Sequence, residues 1–526
     1  MKRYFYLVTG LMLCAIASRA QLPEDAIRMS WNAPSGTARN QAIGGAMGSL
    51  GGELSALFVN PAGLGFYKTG EIVLTPGFSF AKTKGSYLGE TNPSDKNNAF
   101  SLGATGVVWG YTDRYSRWAS KAFSIGINRT ANFNKTIFYK GTNDYSSFSE
   151  PLANEFFNYY SDIKNQSPST PDDAIINNAL SSPDVSLMTK EALYTYLIDI
   201  DSSNGEHTVI SRAELANTLN QQNRIATKGG ITEIAIGFAA NMDDKLYIGG
   251  GLGVPIVNYE RNSQLIETDA NGSGNNEFNH STYEETYTSK GVGINLKLGL
   301  IFKPMNQLRL GLAIHTPTLY GLKDNLSSSM ETDIDTATGS QKVFNVKSTD
   351  LLGGVDPEFR YDLVSPWKFM ISGSYVIHEA SDVRNQKGFI TADVEYVTHA
   401  SSKFNEADPS AVDNYYEAVN QAIKDVYKGA FNFRLGGELK FNTIMARLGF
   451  AWYGSPYDDK NLKARKMNLS GGLGYRNKGM FVDLTYVQSL NKDVNFPYRV
   501  EAPRQNVYSD VKENIGNVLL TVGFKF

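Results

Sequence analysis

The chain has 526 residues, 50 basic against 53 acidic, 49 glycines, 12% aromatic residues and a single cysteine. A net charge of −3 leaves no electrostatic footprint for nucleic acid, and one cysteine excludes a disulfide framework. No segment after the first 20 residues reaches 18 consecutive apolar residues, which excludes helical membrane spans.

Residues 1–20 read as a secretory signal peptide. Lys2 and Arg3 supply the positive region, Tyr4 to Ile16 the apolar core, and Ser18-Arg19-Ala20 the cleavage site. Cys14 follows Met12-Leu13 rather than small residues, which argues against a lipoprotein. Cleavage before Gln21 would leave 47 basic and 53 acidic residues and no thiol. Residues 21–69 form an N-terminal segment set apart by composition. Gln41 to Tyr67 carries seven glycines in 27 residues, then the run Asn60-Pro61-Ala62-Gly63. Glycine at this density permits turns and close backbone approach. Leu54, Leu57, Phe58 and Val59 still need burial, so a compact plug inside whatever the later strands enclose is expected.

From residue 70 to 526 the chain alternates apolar and polar residues in runs with turns between them. Val292, Ile294, Leu296, Leu298 and Leu300 share one parity against Gly293, Asn295, Lys297 and Gly299. Phe431, Phe433, Leu435 and Leu439 oppose Asn432, Arg434 and Glu438. Ile444, Leu448 and Trp452 oppose Met445 and Arg447. Successive side chains of a strand point to opposite faces, so each run has a greasy and a polar face. Fourteen strands are predicted, near 70–83, 98–111, 121–134, 230–241, 244–260, 281–302, 305–319, 356–379, 387–402, 428–440, 442–455, 465–476, 478–498 and 514–526. Most reach the roughly 9–11 residues that cross a bilayer obliquely. Short connections alternate with long ones, as in outer-membrane barrels, and an even count returns both ends to one side. Phe359 to His378 must then be one strand despite Pro366, and alternation weakens after Asn128-Arg129. The chain ends on Phe526, with Val518, Leu520, Val522 and Phe524 on the same face.

Two long loops carry helical patterns. In 135–229 these are Pro151–Asn165, Asp172–Leu180, Thr189–Leu197 and Ser211–Asn223, the last with a capping box Ser211/Glu214. In 403–427, Val412, Tyr415, Tyr416, Val419, Ile423 and Val426 recur at helical spacing.

Catalytic and metal-binding patterns are weak. His315, His378 and His399 fall on polar parity, yet no ligand spacing accompanies them, and lumenal polar residues are the expected role. Gly249-Gly-Gly-Leu-Gly253 lies inside a strand with no helix after it, so it is no phosphate loop. No Gly-x-Ser-x-Gly elbow occurs. Neither an enzyme nor a cofactor or metal is expected.

The glycine-rich lead, Asn60-Pro61-Ala62-Gly63, about fourteen strands and an aromatic terminus together resemble the FadL/TodX outer-membrane transporters of hydrophobic compounds. The resemblance implies an all-β transmembrane antiparallel barrel with an N-terminal hatch in its lumen and partly helical extracellular loops. It also implies passive uptake of hydrophobic small molecules such as long-chain fatty acids through the Gram-negative outer membrane. In that family cargo leaves sideways through a gap made by a kinked strand. Implied partners are a hydrophobic ligand and outer-membrane lipid, with a monomer expected. Two alternatives stay open: a haem- or receptor-type uptake barrel, and a FadL-like barrel that binds protein in a secretion system.

Overall fold

The structure, a computed structural model, describes residues 22–526 except 114, 203–204, 273–276, 336–340, 378–386, 408–414 and 502. The expected signal peptide and His378 lie outside the described residues.

Fourteen antiparallel strands close into one barrel. They are β1 (Glu71–Leu74, continued by Pro76–Tyr87), β2 (Asp95–Leu102 and Thr105–Thr112), β3 (Trp118–Asn132 and Lys135–Asn143), β4 (Leu219–Met242) and β5 (Leu246–Asp269). β6 (His280–Phe302), β7 (Leu308–His315 and Leu319–Asp335), β8 (Glu358–Val364 and Lys368–Ile377), β9 (Gly388–Val397) and β10 (Ala430–Phe441) follow. The set ends with β11 (Ile444–Tyr453), β12 (Arg465–Asn477), β13 (Met480–Asn495) and β14 (Ser509–Lys525). Closure comes from β14 on β1, with Glu71 opposite Lys525 and Leu74 opposite Val522. Gly70 and Phe526 then exchange backbone hydrogen bonds of 2.8 and 3.0 Å, so the terminal phenylalanine is locked to the first strand.

The parity assignment matches the observed faces. Leu298 is 56% exposed beside Lys297 at 5%, and Leu448 is 74% exposed beside Arg447 at 2%. An outward apolar face over an inward polar one is what a strand crossing lipid requires, because only the lipid side faces hydrocarbon. The strand breaks also have causes. β8 bends between Val364 and Lys368, where Pro366 cannot donate to the ladder. β3 carries an extra residue at Thr130, since Ala131 pairs with Ile231 while Arg129 pairs with the adjacent Thr232.

Several expected loops are strands. β5, β6 and β7 continue far past the apolar belt, to Asp269, from His280 and to Asp335, with polar residues on both faces. Their ladders are satisfied without lipid, so hydrophobic alternation fades while pairing persists. The insert after β3 has its own core, and three helices of the predicted kind form there. To keep chain order, the lumenal helices are α1 (Pro23–Ser30), α2 (Ala38–Ala42) and α3 (Ala56–Val59), and those of the insert are α4 (Ser149–Gln166), α5 (Asp172–Ser181) and α6 (Leu187–Tyr194). Leu152, Phe156 and Tyr160 line one face of α4 and pack with Ile175, Ala179, Leu193 and Leu197. The Ser186 hydroxyl caps α6 by accepting from Thr189 N at 3.2 Å.

The predicted helix at Ser211–Asn223 is a correction. Only a 3-10 turn, Arg212–Ala216, forms there, and β4 begins at Leu219. Ser211 makes no capping bond, because its hydroxyl pairs with Ser149 Oγ at 2.6 Å. From Leu219 onward both edges are taken, by β3 on one side and β5 on the other, and this pairing overrides local helical preference. The helix predicted in 403–427 is α7 (Tyr415–Val426); its expected first turn lies outside the described residues.

Candidate functional site

Residues 22–69 run inside the barrel, and the wall is shaped to receive them. Asn60 begins a 3-10 turn, Pro61–Phe66, and its Oδ1 accepts from Ala62 N at 3.1 Å. Its Nδ2 reaches Gly48 O at 2.6 Å and the wall carbonyls of Leu312 at 3.2 Å and Leu300 at 3.4 Å. Pro61 suits this place, since its fixed φ starts the turn and its missing N–H would have no partner. A Cβ on Gly299 would overlap Asn60 Oδ1, and one on Gly249 would meet Pro61 and Ala62. Inward glycines on other strands do the same: Gly237 against Leu57, Gly311 against Gly48, Gly436 against Ile43 and Gly449 against Gly44. The run Gly249–Gly253 is thus part of a docking surface for Pro61 and Ala62.

Polar contacts tie the same segment to other strands. Gly48 N donates to Asp393 Oδ2 at 3.1 Å, and Ser49 Oγ lies 3.0 Å from Ser374 Oγ. Ala38 N donates to Thr521 Oγ1 at 2.7 Å, and Thr485 Oγ1 donates to Ala38 O at 2.7 Å. Arg39 pairs with Glu438 at 3.3 Å, which Arg447 also holds at 2.6 Å. Every wall strand from β7 onward that carries these groups presents them on its polar parity.

Above the segment lies a cavity of about 1480 Å³. Its lining includes Ile27 and Trp31, Leu187 and Met188 of α6, Val426 of α7, and Phe133 from the break in β3. Tyr415, Tyr416, Val419 and Ile423 of α7 belong to the same apolar cluster as Ile27 and Trp31. Loop helices, lumenal helix and wall therefore share one hydrophobic lining. Lys190 of α6 is 8% exposed and lines the cavity; burial depresses its ammonium pKa. Beside it, burial pushes the Glu191 carboxyl up to about 8.

The cavity reaches an unladdered stretch of the wall between β2 and β3. β2 and β3 are laddered only from Thr105 opposite Ile127 to Thr112 opposite Ser120. Beyond the Thr105–Ile127 end, Asp95–Leu102 pairs with β1 alone and Lys135–Asn143 with β4 alone. The two edges meet again through the Asn97 amide and Thr136 Oγ1 at 2.9 Å and through Asn92 Nδ2 and Lys140 O at 3.1 Å. The seam between is bordered by Ser101, Arg129, Ala131 and Asn132, all of which also line the cavity. Its cause is local. The bulge at Thr130 and the break at Phe133-Asn134 turn β3 out of register with its neighbour. Gly229 on β4, at φ +98°, takes a backbone conformation that favours glycine opposite that break.

Ser35 and Gly36 bridge the seam from inside. Ser35 N donates to Arg129 O at 3.1 Å, and Asn128 Nδ2 donates to Ser35 O at 3.0 Å. On the other edge a Cβ at Gly103 would collide with Gly36 O. The free backbone groups of the broken ladder are thus partly satisfied by the lumenal segment.

The sequence-selected residues Asn60, Pro61, Ala62 and Gly63 are all buried, and the structure brings the first three onto β5, β6 and β7. Gly63 instead packs inside the segment, where its carbonyl accepts from Gly52 N at 2.9 Å. None of the four lines the cavity. His315 bonds to Val59 O at 2.9 Å. His399, expected on a strand, sits in a 3-10 turn with its Nδ1 3.1 Å from Ser30 Oγ. The two histidines are therefore each engaged with the lumenal segment at different places. Among the described residues no group of three His, Cys, Asp or Glu is placed to hold a metal. The seam-bridging pair Ser35-Gly36 was not singled out by sequence; its one signal is the turn-forming string Asn32-Ala-Pro-Ser-Gly36.

No protein-family model and no curated protein matches the sequence. Among solved structures, a Pseudomonas aeruginosa FadL homologue superposes with a TM-score of 0.55 at 12% identity, over 94% of this chain and all of the other. The Ralstonia pickettii toluene transporter TbuX gives 0.46 at 15% identity, over 94% and 99% of the two chains. The Pseudomonas putida toluene transporter TodX gives 0.48 at 12%, with the same coverage. The chain is a fourteen-stranded outer-membrane-type β-barrel with the fold of the Pseudomonas aeruginosa FadL homologue.

Proposed function

We propose that this protein is a passive channel that admits hydrophobic small molecules, long-chain fatty acids among them, and that its lumenal segment is the hatch. The observation that carries the reading is the continuity of one apolar-lined cavity with an unladdered seam in the wall. An apolar solute gains free energy on leaving water for such a cavity, and gains nothing by returning. The cavity exceeds the roughly 300–1,000 Å³ of ordinary ligand sites, which suits a long or flexible cargo. Exit through the seam delivers cargo into hydrocarbon without crossing the hatch; Ser35 and Gly36 are the groups that must move. The reading involves no catalysis and no cofactor, and a single chain suffices because hatch, cavity and seam all belong to one barrel.

The test is uptake by a Gram-negative host that lacks its own channel of this kind. Cells producing the protein should accumulate radiolabelled oleate or radiolabelled toluene several-fold faster than cells with an empty vector. Equal accumulation of both compounds with and without the protein would refute transport of hydrophobic molecules.

A further inference from the structure

Six basic side chains stand together on the outer surface, where the apolar belt ends. Along β1 the outward residues run Phe78, Phe80, Lys82, Lys84; along β14 they run Val518, Gly516, Asn514, Lys512. The strand registers then set like charges directly opposite one another. Lys84 faces Lys512, Lys512 faces Lys492, and Lys492 faces Arg465, a row of four cations across β1, β14, β13 and β12. One rung lower, Lys82 faces Lys96 of β2. All six are exposed, and among the described residues none has its side chain in an ion pair or hydrogen bond.

Directly opposed side chains lie about 5 Å apart, and like charges there destabilise the pair. Elsewhere on the exterior some cations are matched with carboxylates: Lys323, which faces Lys290, with Glu358 at 2.5 Å, and Arg224 with Asp95 at 3.2 Å. On the four-strand row the nearest outward acid in the ladders is Asp510, one rung above Lys512 and opposite Ser86 and Val494. Glu513 points inward, to Lys135 at 2.9 Å. A repeated like-charge register at one height calls for an anion from outside the chain.

We propose that this row binds the phosphates of outer-leaflet glycolipid of the lipid A type. Its height selects that partner. The cations begin one outward step above Phe80, so their stems can lie along the belt edge while their heads meet the head-group layer. Phosphate oxygens accept charge-assisted hydrogen bonds from ammonium and guanidinium groups, and Arg465 adds a two-pronged donor at the end of the row. Bound phosphate cancels the repulsion between neighbours, so lipid and ladder stabilise each other. The proposal rests on the exterior register and is independent of the transport reading.

The full-length barrel, purified in neutral detergent free of lipid A, is mixed with bis-phosphorylated lipid A, dephosphorylated lipid A or inorganic phosphate, and retention is read by native mass spectrometry. The variant carries Lys84→Gln, Arg465→Gln, Lys492→Gln and Lys512→Gln; Lys478→Gln, in the periplasmic turn after β12, is the control. Native protein and control should retain the bis-phosphorylated lipid, the fourfold variant at least tenfold less, and inorganic phosphate should not displace it. Relief of repulsion should also raise the unfolding temperature of the fourfold variant in lipid-free detergent and abolish the further rise that lipid A gives the native barrel. Single Lys512→Gln, at the centre of the row, provides the same readouts with a smaller change if the fourfold variant does not fold. Equal retention by the variants, or equal retention of dephosphorylated lipid, overturns the proposal. Displacement by inorganic phosphate alone would make the row a free-anion site and overturn it as well.

Discussion

Asn60 Oδ1 occupies the space in which a Cβ on Gly299 would stand. The wall strand and the lumenal segment therefore fit only while residue 299 has no side chain. Gly299→Val is expected to expel Asn60 from the wall and leave strand pairing intact, because β6 keeps its ladders to β5 and β7. The variant should retain heat-modifiable gel mobility and conduct ions in planar bilayers where the native protein conducts little. A closed, native-like Gly299→Val channel would contradict the docking described for Asn60.

Removing the amide itself should be milder for closure and costlier for the segment. Asn60→Ala strands the Gly48 carbonyl and the Ala62 N–H in a buried place, at about 1–3 kcal/mol for each unsatisfied group. Limited proteolysis within residues 41–66 should accelerate while the barrel stays resistant.

The two faces of β6 should respond unequally. Leu298→Arg places a charge in the lipid-facing belt and is expected to cost about 2–4 kcal/mol. Asn295→Ser, on the lumenal face, loses hydrogen bonds of 3.1 Å to Glu233 and 3.2 Å to Thr318 and one of 2.8 Å from Lys297, but puts no charge into lipid and should cost less than Leu298→Arg. Urea titrations of folding into vesicles measure both; equal losses would mean that the face assignment is wrong.

Much of the wall was legible because lipid imposes a simple rule. Every strand that crosses hydrocarbon must put apolar side chains on one parity; Val292 to Leu300 do so without exception, and Phe431 to Leu439 with only Gly437 interrupting. The rule stops at the belt edge. Leu219–Gln222 looked helical and Ser281–Thr288 marked only the start of a crossing strand, although both are long paired ladders above the membrane. Asn60-Pro61-Ala62 was legible as a motif, but its partners were not. Gly249, Gly299 and Gly311 read as generic strand glycines until a second backbone was found against them. The seam was half legible: alternation falters after Asn128-Arg129, yet nothing local indicates that Ser35 would bond to the freed carbonyl of Arg129.

Glu191 makes the extracellular insert sensitive to pH. Its carboxyl accepts from Ser328 Oγ at 2.6 Å, and burial raises its pKa from 4.5 to about 8. The folded insert thus holds a proton that the unfolded chain has already released. Stability from this group is complete below about 4.5 and is lost as pH rises toward 8, by up to about 1.4 kcal/mol per pH unit. Glu191→Gln should leave proteolysis of residues 144–218 unchanged at the acid end of that interval and slow it at the alkaline end. An equal effect at both ends would mean that Glu191 stays charged when folded.

The central claim, that cargo passes from the cavity through the seam, is tested most directly at Ala131. This residue is 3% exposed, lines the cavity and borders the seam next to the bulge of β3. Ala131→Trp should fill the inner mouth of the seam without touching the ladder of β2 and β3 below it. Oleate uptake by cells producing folded Ala131→Trp, measured against cells producing equal amounts of native protein, is expected to fall at least tenfold, while oleate still co-purifies with the variant. Uptake at the native rate through a folded Ala131→Trp barrel would contradict passage through the seam.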